Sequence, residues 1–162
     1  MASGGTYSRE VLNREARHRY EILQHFEAGI VLQGTEIKSF RGGDAQIADA
    51  FVRIGDGHRP ILINAHIDEY HHGTDANHVP KRQRYLLLHR KEIERLRSAQ
   101  DREGMSIIPL RMYLKKGLAK LDIAICKGKR AYDKRRALKQ RVEKREIQRA
   151  LVARQRGLSG RR

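Results

Sequence analysis

The last thirty-six residues limit what this chain can fold into. After Cys126 they hold fifteen Lys or Arg against three acids, Asp133, Glu143 and Glu146, so that +12 of the chain's net +16 is gathered there. Like charges at that density repel one another. Helix propensity is high from Asp133 onward, but Leu138, Val142, Ile147 and Leu151 scatter around a helical wheel and form no stripe. With no apolar face to bury, the segment is predicted to stay disordered until a polyanion neutralises it. A nucleic acid is the partner such a tail attracts, through release of counterions, and charge alone does not distinguish RNA from DNA. The core has to come from the preceding residues, which suffice for one domain.

Cys126 is the chain's only cysteine, so neither an intramolecular disulfide nor a Cys-based zinc site is available, and a buried small apolar side chain is its expected role. The first residues lack the basic-then-apolar order of a signal peptide, and no apolar run reaches the length of a membrane span. A soluble, cytoplasmic protein with no membrane partner is expected.

Residues 1–12 are small and polar and read as a flexible arm. From Tyr20, aromatic and β-branched residues suggest two strands with a bulge or bend at Gly29. Thr35 is placed to cap a short helix that Gly42-Gly43 stops. Ala48, Ala50, Val52 and Ile54 alternate with polar neighbours, residues 55–60 turn the chain, and Ile61, Ile63, Ala65 and Ile67 alternate again, which predicts a hairpin. Residues 68–84 read as a long surface loop. Its neighbourhood contains His66, His71, His72 and His78, which match no metal-ligand spacing and are taken as solvated, so no metal or cofactor is expected. A helix is predicted over Leu88–Arg102, stopped by Gly104, and then two strands around a turn at Lys115-Lys116-Gly117, with Pro109 demanding an edge or a bulge. About six short strands and two or three short helices predict a mainly β chain built as a small, closed or nearly closed antiparallel barrel over residues 13–130, followed by the tail at 131–162.

No nucleophile elbow, phosphate loop, zincin motif or paired-Cys spacing is present, so the sequence offers catalysis no seat and a non-enzyme is expected. Basic residues interleave with aromatic and apolar ones in three places: from Asn13 to Tyr20, from Lys81 through Arg82 and Arg84 to Tyr85 and Leu86–Leu88, and around Tyr132. Cations hold phosphates while flat or apolar side chains pack on splayed bases, which is how small barrels recognise RNA. Tyr85 is divided evenly between a core role and a base contact. Leu86, Leu87 and Leu88 cannot all face one core, so at least one reaches the surface.

Asn13 with Ala16-Arg17-His18 and Tyr20, the stretch Phe26-Glu27-Ala28-Gly29-Ile30, Gly34-Thr35-Glu36-Ile37-Lys38-Ser39, Leu86-Leu87-Leu88-His89-Arg90, and Lys127-Gly128-Lys129 with Tyr132-Asp133-Lys134-Arg135 together resemble the SsrA-binding protein (small protein B) family, in its order and spacing. The resemblance implies an OB-like barrel that binds the tRNA-like part of transfer-messenger RNA and delivers it, with elongation factor Tu, to stalled ribosomes. By that resemblance Asn13, His18, Glu27 and Leu87 contact RNA. Tyr132, Asp133, Lys134, Arg135, Lys139 and Arg141 sense the empty messenger channel and decoding centre of the small subunit, as a helix. The chain departs from the pattern at Glu15, Arg19 and Arg130, and at Tyr85, where a basic residue is usual. A monomeric adaptor is the leading reading; a structural ribosomal protein and an RNA-modifying enzyme with a barrel module are the alternatives.

Overall fold

The computed structural model describes residues 9–73, 77–129 and 147–148. Its elements are β1 (Glu10–Leu12), α1 (Ala16–Arg19), β2 (Tyr20–Ile30), α2 (Gly34–Gly42), β3 (Ala45–Gln46), β4 (Phe51–Ile54), β5 (Pro60–Ile63), β6 (His66–Ile67), β7 (Arg84–Leu87), α3 (Arg90–Gln100), β8 (Met105–Lys115) and β9 (Leu118–Gly128). The main sheet has the order β1-β8-β4-β5-β7-β2-β9, and β8 also pairs with β9. Six antiparallel strands therefore close into a ring, as the alternation predicts, with β1 added beside β8. Closure removes the free edges that would otherwise expose unpaired backbone groups. The chain divides into two compact units, Met1–Gly128 and Lys129–Arg162, and the ring belongs to the first. The expected disorder of the free tail and its helix when bound fall, except for Ile147 and Gln148, on residues outside the described ones.

Strand alternation fills the ring. Phe26, Ala28 and Ile30 of β2, Val52 and Ile54 of β4, Leu62 of β5, Leu86 of β7, Ile107, Met112 and Leu114 of β8, and Leu121, Ile123 and Ile125 of β9 share one core with Phe40 of α2 and Leu96 of α3. The β8–β9 hairpin turns at Lys116 (φ 52°) and Gly117 (φ 79°), the left-handed pair that a two-residue connection between twisted strands requires. Pro109 is accommodated by a register shift between Pro109 and Arg111, which is the predicted bulge. A second shift, between Ile22 and Gln24, interrupts β2. Between the two bulges a smaller apolar cluster forms under α1 from Ala16, Ile108, Ala124 and Cys126. Burial there pushes the Cys126 thiol up to about 11, consistent with an inert packing side chain.

Several expectations are corrected. Glu10–Leu12 is not part of a flexible arm. It pairs with Arg111–Tyr113, because β4 covers β8 only at Ile107 and leaves this stretch of β8 in need of a partner. The bulge in β2 falls at Leu23, whereas Gly29 sits within the regular ladder. In the β4–β5 hairpin Val52 lies opposite Leu62, so Leu62 faces inward and Ile61 and Ile63 do not. Asn64, at φ 62°, then resets the alternation so that Ala65 and Ile67 are buried. α2 is capped by Gln33, in a reciprocal box with Glu36, and not by Thr35, whose hydroxyl instead meets His78 Nδ1 at 2.9 Å. His78 is consequently buried, its Nε2 3.1 Å from the Ile67 carbonyl, and is no solvated loop histidine.

Candidate nucleic-acid interface

Parity along β2 puts His25, Glu27 and Gly29 on the outside of the ring, because Phe26, Ala28 and Ile30 point in. The register carries that face sideways: Gly29 stands opposite Leu87 of β7 on one side and Lys120 of β9 on the other, and Glu27 stands opposite Asp122. Leu87 is 64% exposed. A Cβ built at Gly29 would meet the Leu87 Cβ at 3.3 Å, so the absence of a side chain there lets the leucine lie across the strand. Glu27 and Leu87, far apart in sequence, are thus diagonal neighbours on one surface.

Glu27 is held by a network that the sequence reading did not single out. Tyr113 Oη donates to Glu27 Oε2 (2.5 Å) and lies 3.1 Å from Asp122 Oδ1, while Arg111 Nε and Nη2 donate to Asp122 Oδ2 at 3.0 and 2.8 Å. Lys115 and Lys120 flank Glu27 at 3.6 and 3.7 Å. The Tyr113 hydrogen bond, which outweighs the opposing effect of partial burial, and the two lysines hold the Glu27 carboxyl below its ordinary value, so it is an anion and an acceptor at neutral pH. Burial and the two carboxylates raise the Tyr113 hydroxyl, which stays protonated as the donor. The clue in the sequence was Arg111, Tyr113, Lys120 and Asp122 at outward positions of two strands that the turn obliges to pair.

Beside this face a groove of about 500 Å³ is lined by Leu12, Asn13, Arg14, Arg17, His25, Leu110, Arg111 and Asp122. Three arginines against one aspartate make it cationic, and His25 joins it to Glu27 along β2. α1 supplies Arg17 and the exposed His18. Asn13 shapes the entry to that helix: its Oδ1 accepts from the Ala16 N–H (3.1 Å), and its Nδ2 donates to the carbonyls of Pro109 (3.0 Å) and Ala48 (3.4 Å). It is 6% exposed, so the structure gives it to the protein's own backbone. A different cavity of about 510 Å³ flanks α1 near Arg19, Tyr20, Phe51 and Arg53, and of its two arginines Arg19 is already paired with Glu15 at 2.5 Å.

The basic triplet of the loop is split. Lys81 is exposed. Arg82, its side chain 24% exposed, donates through Nε to Glu36 Oε1 (2.8 Å) and through Nη2 to Oε2 (2.5 Å). Arg84 corrects the sequence reading: it has no exposure and cannot reach a phosphate. Its Nε donates to Glu36 Oε1 (2.8 Å), and its Nη groups donate to the carbonyls of Ala65, Arg82 and Pro80. Burial alone would raise the Glu36 carboxyl, but the hydrogen bonds from Arg82 and Gln33 and the Arg84 charge hold it below its ordinary value. The inward parity of β7 at Arg84 and Leu86 is what turns Tyr85 and Leu87 outward. Tyr132, Asp133, Lys134, Arg135, Lys139 and Arg141 lie outside the described residues. Among the described residues no group of His, Cys, Asp and Glu is placed to hold a metal, and no helix is long and apolar enough to cross a membrane.

A closed antiparallel ring whose outer strands present a fixed carboxylate, an exposed leucine and a cationic groove defines a small OB-like barrel protein of the nucleic-acid-binding type. The chain belongs to the SmpB protein family, whose model matches residues 10–153. It is similar to SsrA-binding proteins of Streptomyces coelicolor (49% identical over 141 residues, 87% of this chain and 88% of the relative) and of Shouchella clausii (50% over 145 residues, 90% and 92%). Among solved structures it is similar to a chain from "tmRNA-SmpB: a journey to the center of the bacterial ribosome", with TM-score 0.64 and 41% identity over 75% of this chain and 85% of that one.

Proposed function

We propose that this chain is a non-catalytic adaptor that binds the tRNA-like part of transfer-messenger RNA on its barrel and brings it to stalled ribosomes for trans-translation. The observation that carries the reading is the meeting of Glu27 and Leu87 across Gly29, beside a cationic groove. Glu27 accepts hydrogen bonds from base N–H groups, Leu87 packs on a splayed base, and Arg14, Arg17 and His18 draw in the backbone phosphates. Asn13 serves this surface from within by fixing α1, and the exposed Lys81, in the loop before β7, adds a phosphate contact. The tail, through Tyr132, Asp133, Lys134, Arg135, Lys139 and Arg141, engages the decoding centre and messenger channel of the small subunit, with elongation factor Tu in the delivery complex. The protein works as a monomer in the cytoplasm.

Glu27→Ala and Leu87→Ala should each weaken binding of the tRNA-like RNA by about 1–3 kcal/mol, the typical worth of a base hydrogen bond or stack, with melting unchanged. Wild-type affinity in both well-folded variants would refute the face. Changing Asp133, Lys134 and Arg135 together to Ala should leave RNA binding intact and abolish peptide tagging; full tagging at matched protein concentration would refute the tail's role.

A further inference from the structure

The outward face of β7 continues past Leu87 to Tyr85, a side chain to which Glu27, Leu87 and the cationic groove give no role. The strand alternates buried Arg84, exposed Tyr85, buried Leu86 and exposed Leu87, and the tyrosine is 50% exposed. It is therefore no core residue. The register sets Ile61 of β5 directly beside it. On the other side the Val31 N–H donates to the Tyr85 carbonyl (3.0 Å), which places a 44% exposed valine next to it. Arg53 stands beyond Ile61 in the same row, exposed Arg59 precedes Ile61 by two positions, and Lys120 faces Leu87 across Gly29. The result is an apolar and aromatic strip bordered by cations.

We propose that Tyr85 is a second base platform, stacking the unpaired nucleotide adjacent to the one that Glu27 and Leu87 hold, with Ile61 and Val31 as its floor and Arg53 and Arg59 toward the phosphates. The inference rests on the β2–β7–β9 face being the RNA interface and extends it by one nucleotide. The pleat spaces Tyr85 and Leu87 by about 6.6–6.8 Å, a step that an extended single strand crosses with one nucleotide. Charge complementarity selects the occupant: an apolar protein partner would desolvate the exposed Arg53 and Arg59 without pairing them, whereas a phosphate backbone pairs each. Stacking tolerates any base, so Tyr85 contributes affinity and footprint more than sequence choice.

The test uses the full chain and the tRNA-like domain of transfer-messenger RNA as probe, with affinity measured over a range of salt. Tyr85→Ala should weaken binding about 5- to 150-fold, the equivalent of the 1–3 kcal/mol typical of one base stack, at an unchanged melting temperature and salt slope. Tyr85→Phe should bind like wild type. Tyr85→Lys should not recover the loss at physiological salt; full recovery with a steeper slope would make the site a phosphate contact and overturn the proposal. Wild-type affinity for Tyr85→Ala while Leu87→Ala binds weakly would overturn this inference alone. Wild-type affinity for both would overturn the RNA face itself. In Tyr85→Trp, the indole fluorescence should be quenched on saturation with RNA, and unchanged emission would overturn the platform independently of any folding defect.

Discussion

Glu36→Ala should destabilise the barrel more than it disturbs any surface contact. The carboxylate has no exposure, and its oxygens accept from the Gln33 N–H (2.6 Å), from Arg82 Nε and Nη2 (2.8 and 2.5 Å) and from Arg84 Nε (2.8 Å). Removing it leaves the equally buried Arg84 guanidinium with carbonyls alone for partners. Deleting one member of a buried pair costs about 3–5 kcal/mol, and the Arg82 half, partly solvated, adds little to this. For a domain of this size that corresponds to a fall in melting temperature on the order of 10–20 °C. Thermal and urea unfolding followed by far-UV circular dichroism would measure it. Because the Glu36 carboxyl is held below its ordinary 4.5, its contribution is complete above that pH and is lost as the pH falls through the depressed folded value. Wild type should therefore lose stability on acidification below about 4.5 more steeply than Glu36→Gln. Arg84→Ala should likewise unfold more easily, whereas a phosphate-binding arginine would lose RNA affinity in a normally stable protein. A loss below about 1 kcal/mol in Glu36→Ala would refute the buried pair.

Gly43 closes α2 at φ 106°, and a Cβ there would fall 1.6 Å from Arg9 Nη2, so Gly43→Ala should cost about 1–3 kcal/mol in urea unfolding; an unaltered midpoint would show that the cap relaxes freely. Deleting residues 131–162 should flatten the salt dependence of generic RNA binding by about 0.7–0.9 for each phosphate the tail neutralises, while specific RNA binding changes less, and an unchanged slope would mean that the tail does not touch phosphate.

The ring was legible because β8 is rich in Ile, Leu, Met and Tyr, Ala119, Leu121, Ile123 and Ile125 recur at every second position of β9, and the turn between them carries the residues that left-handed backbone needs, Lys116-Gly117. Positions whose facing depends on a partner in space were not legible. Ile61 and Leu62 both suit an inward position, and only the pairing of Val52 with Leu62 decides between them. Arg84 looked like one more cation in a basic loop, since nothing in its neighbourhood announces that Glu36, 48 residues earlier, will be buried beside it. Glu27 and Leu87 entered through a family resemblance and not through any local pattern. Their adjacency comes from the β2–β7 register, and the Tyr113 hydrogen bond that fixes Glu27 comes from the separate pairing of β2, β9 and β8.

The partition of charge gives the two units different work. With +12 beyond Cys126, the residues up to Cys126 carry only +4, and much of their positive charge is already committed: Arg84 and Arg82 to Glu36, Arg111 to Asp122, Arg19 to Glu15, Lys115 and Lys120 to Glu27. Apart from the groove at Arg14 and Arg17, a surface of that kind attracts polyanions less than the tail does. It discriminates instead through a carboxylate, which repels a phosphate and accepts only from a base edge presented to it, and through apolar side chains that need an unpaired base to cover them. On the proposed reading Glu27 works against non-specific RNA as much as for the correct one. On that reading generic attraction, which falls steeply with salt, belongs to the tail, and recognition, which falls less, belongs to the barrel.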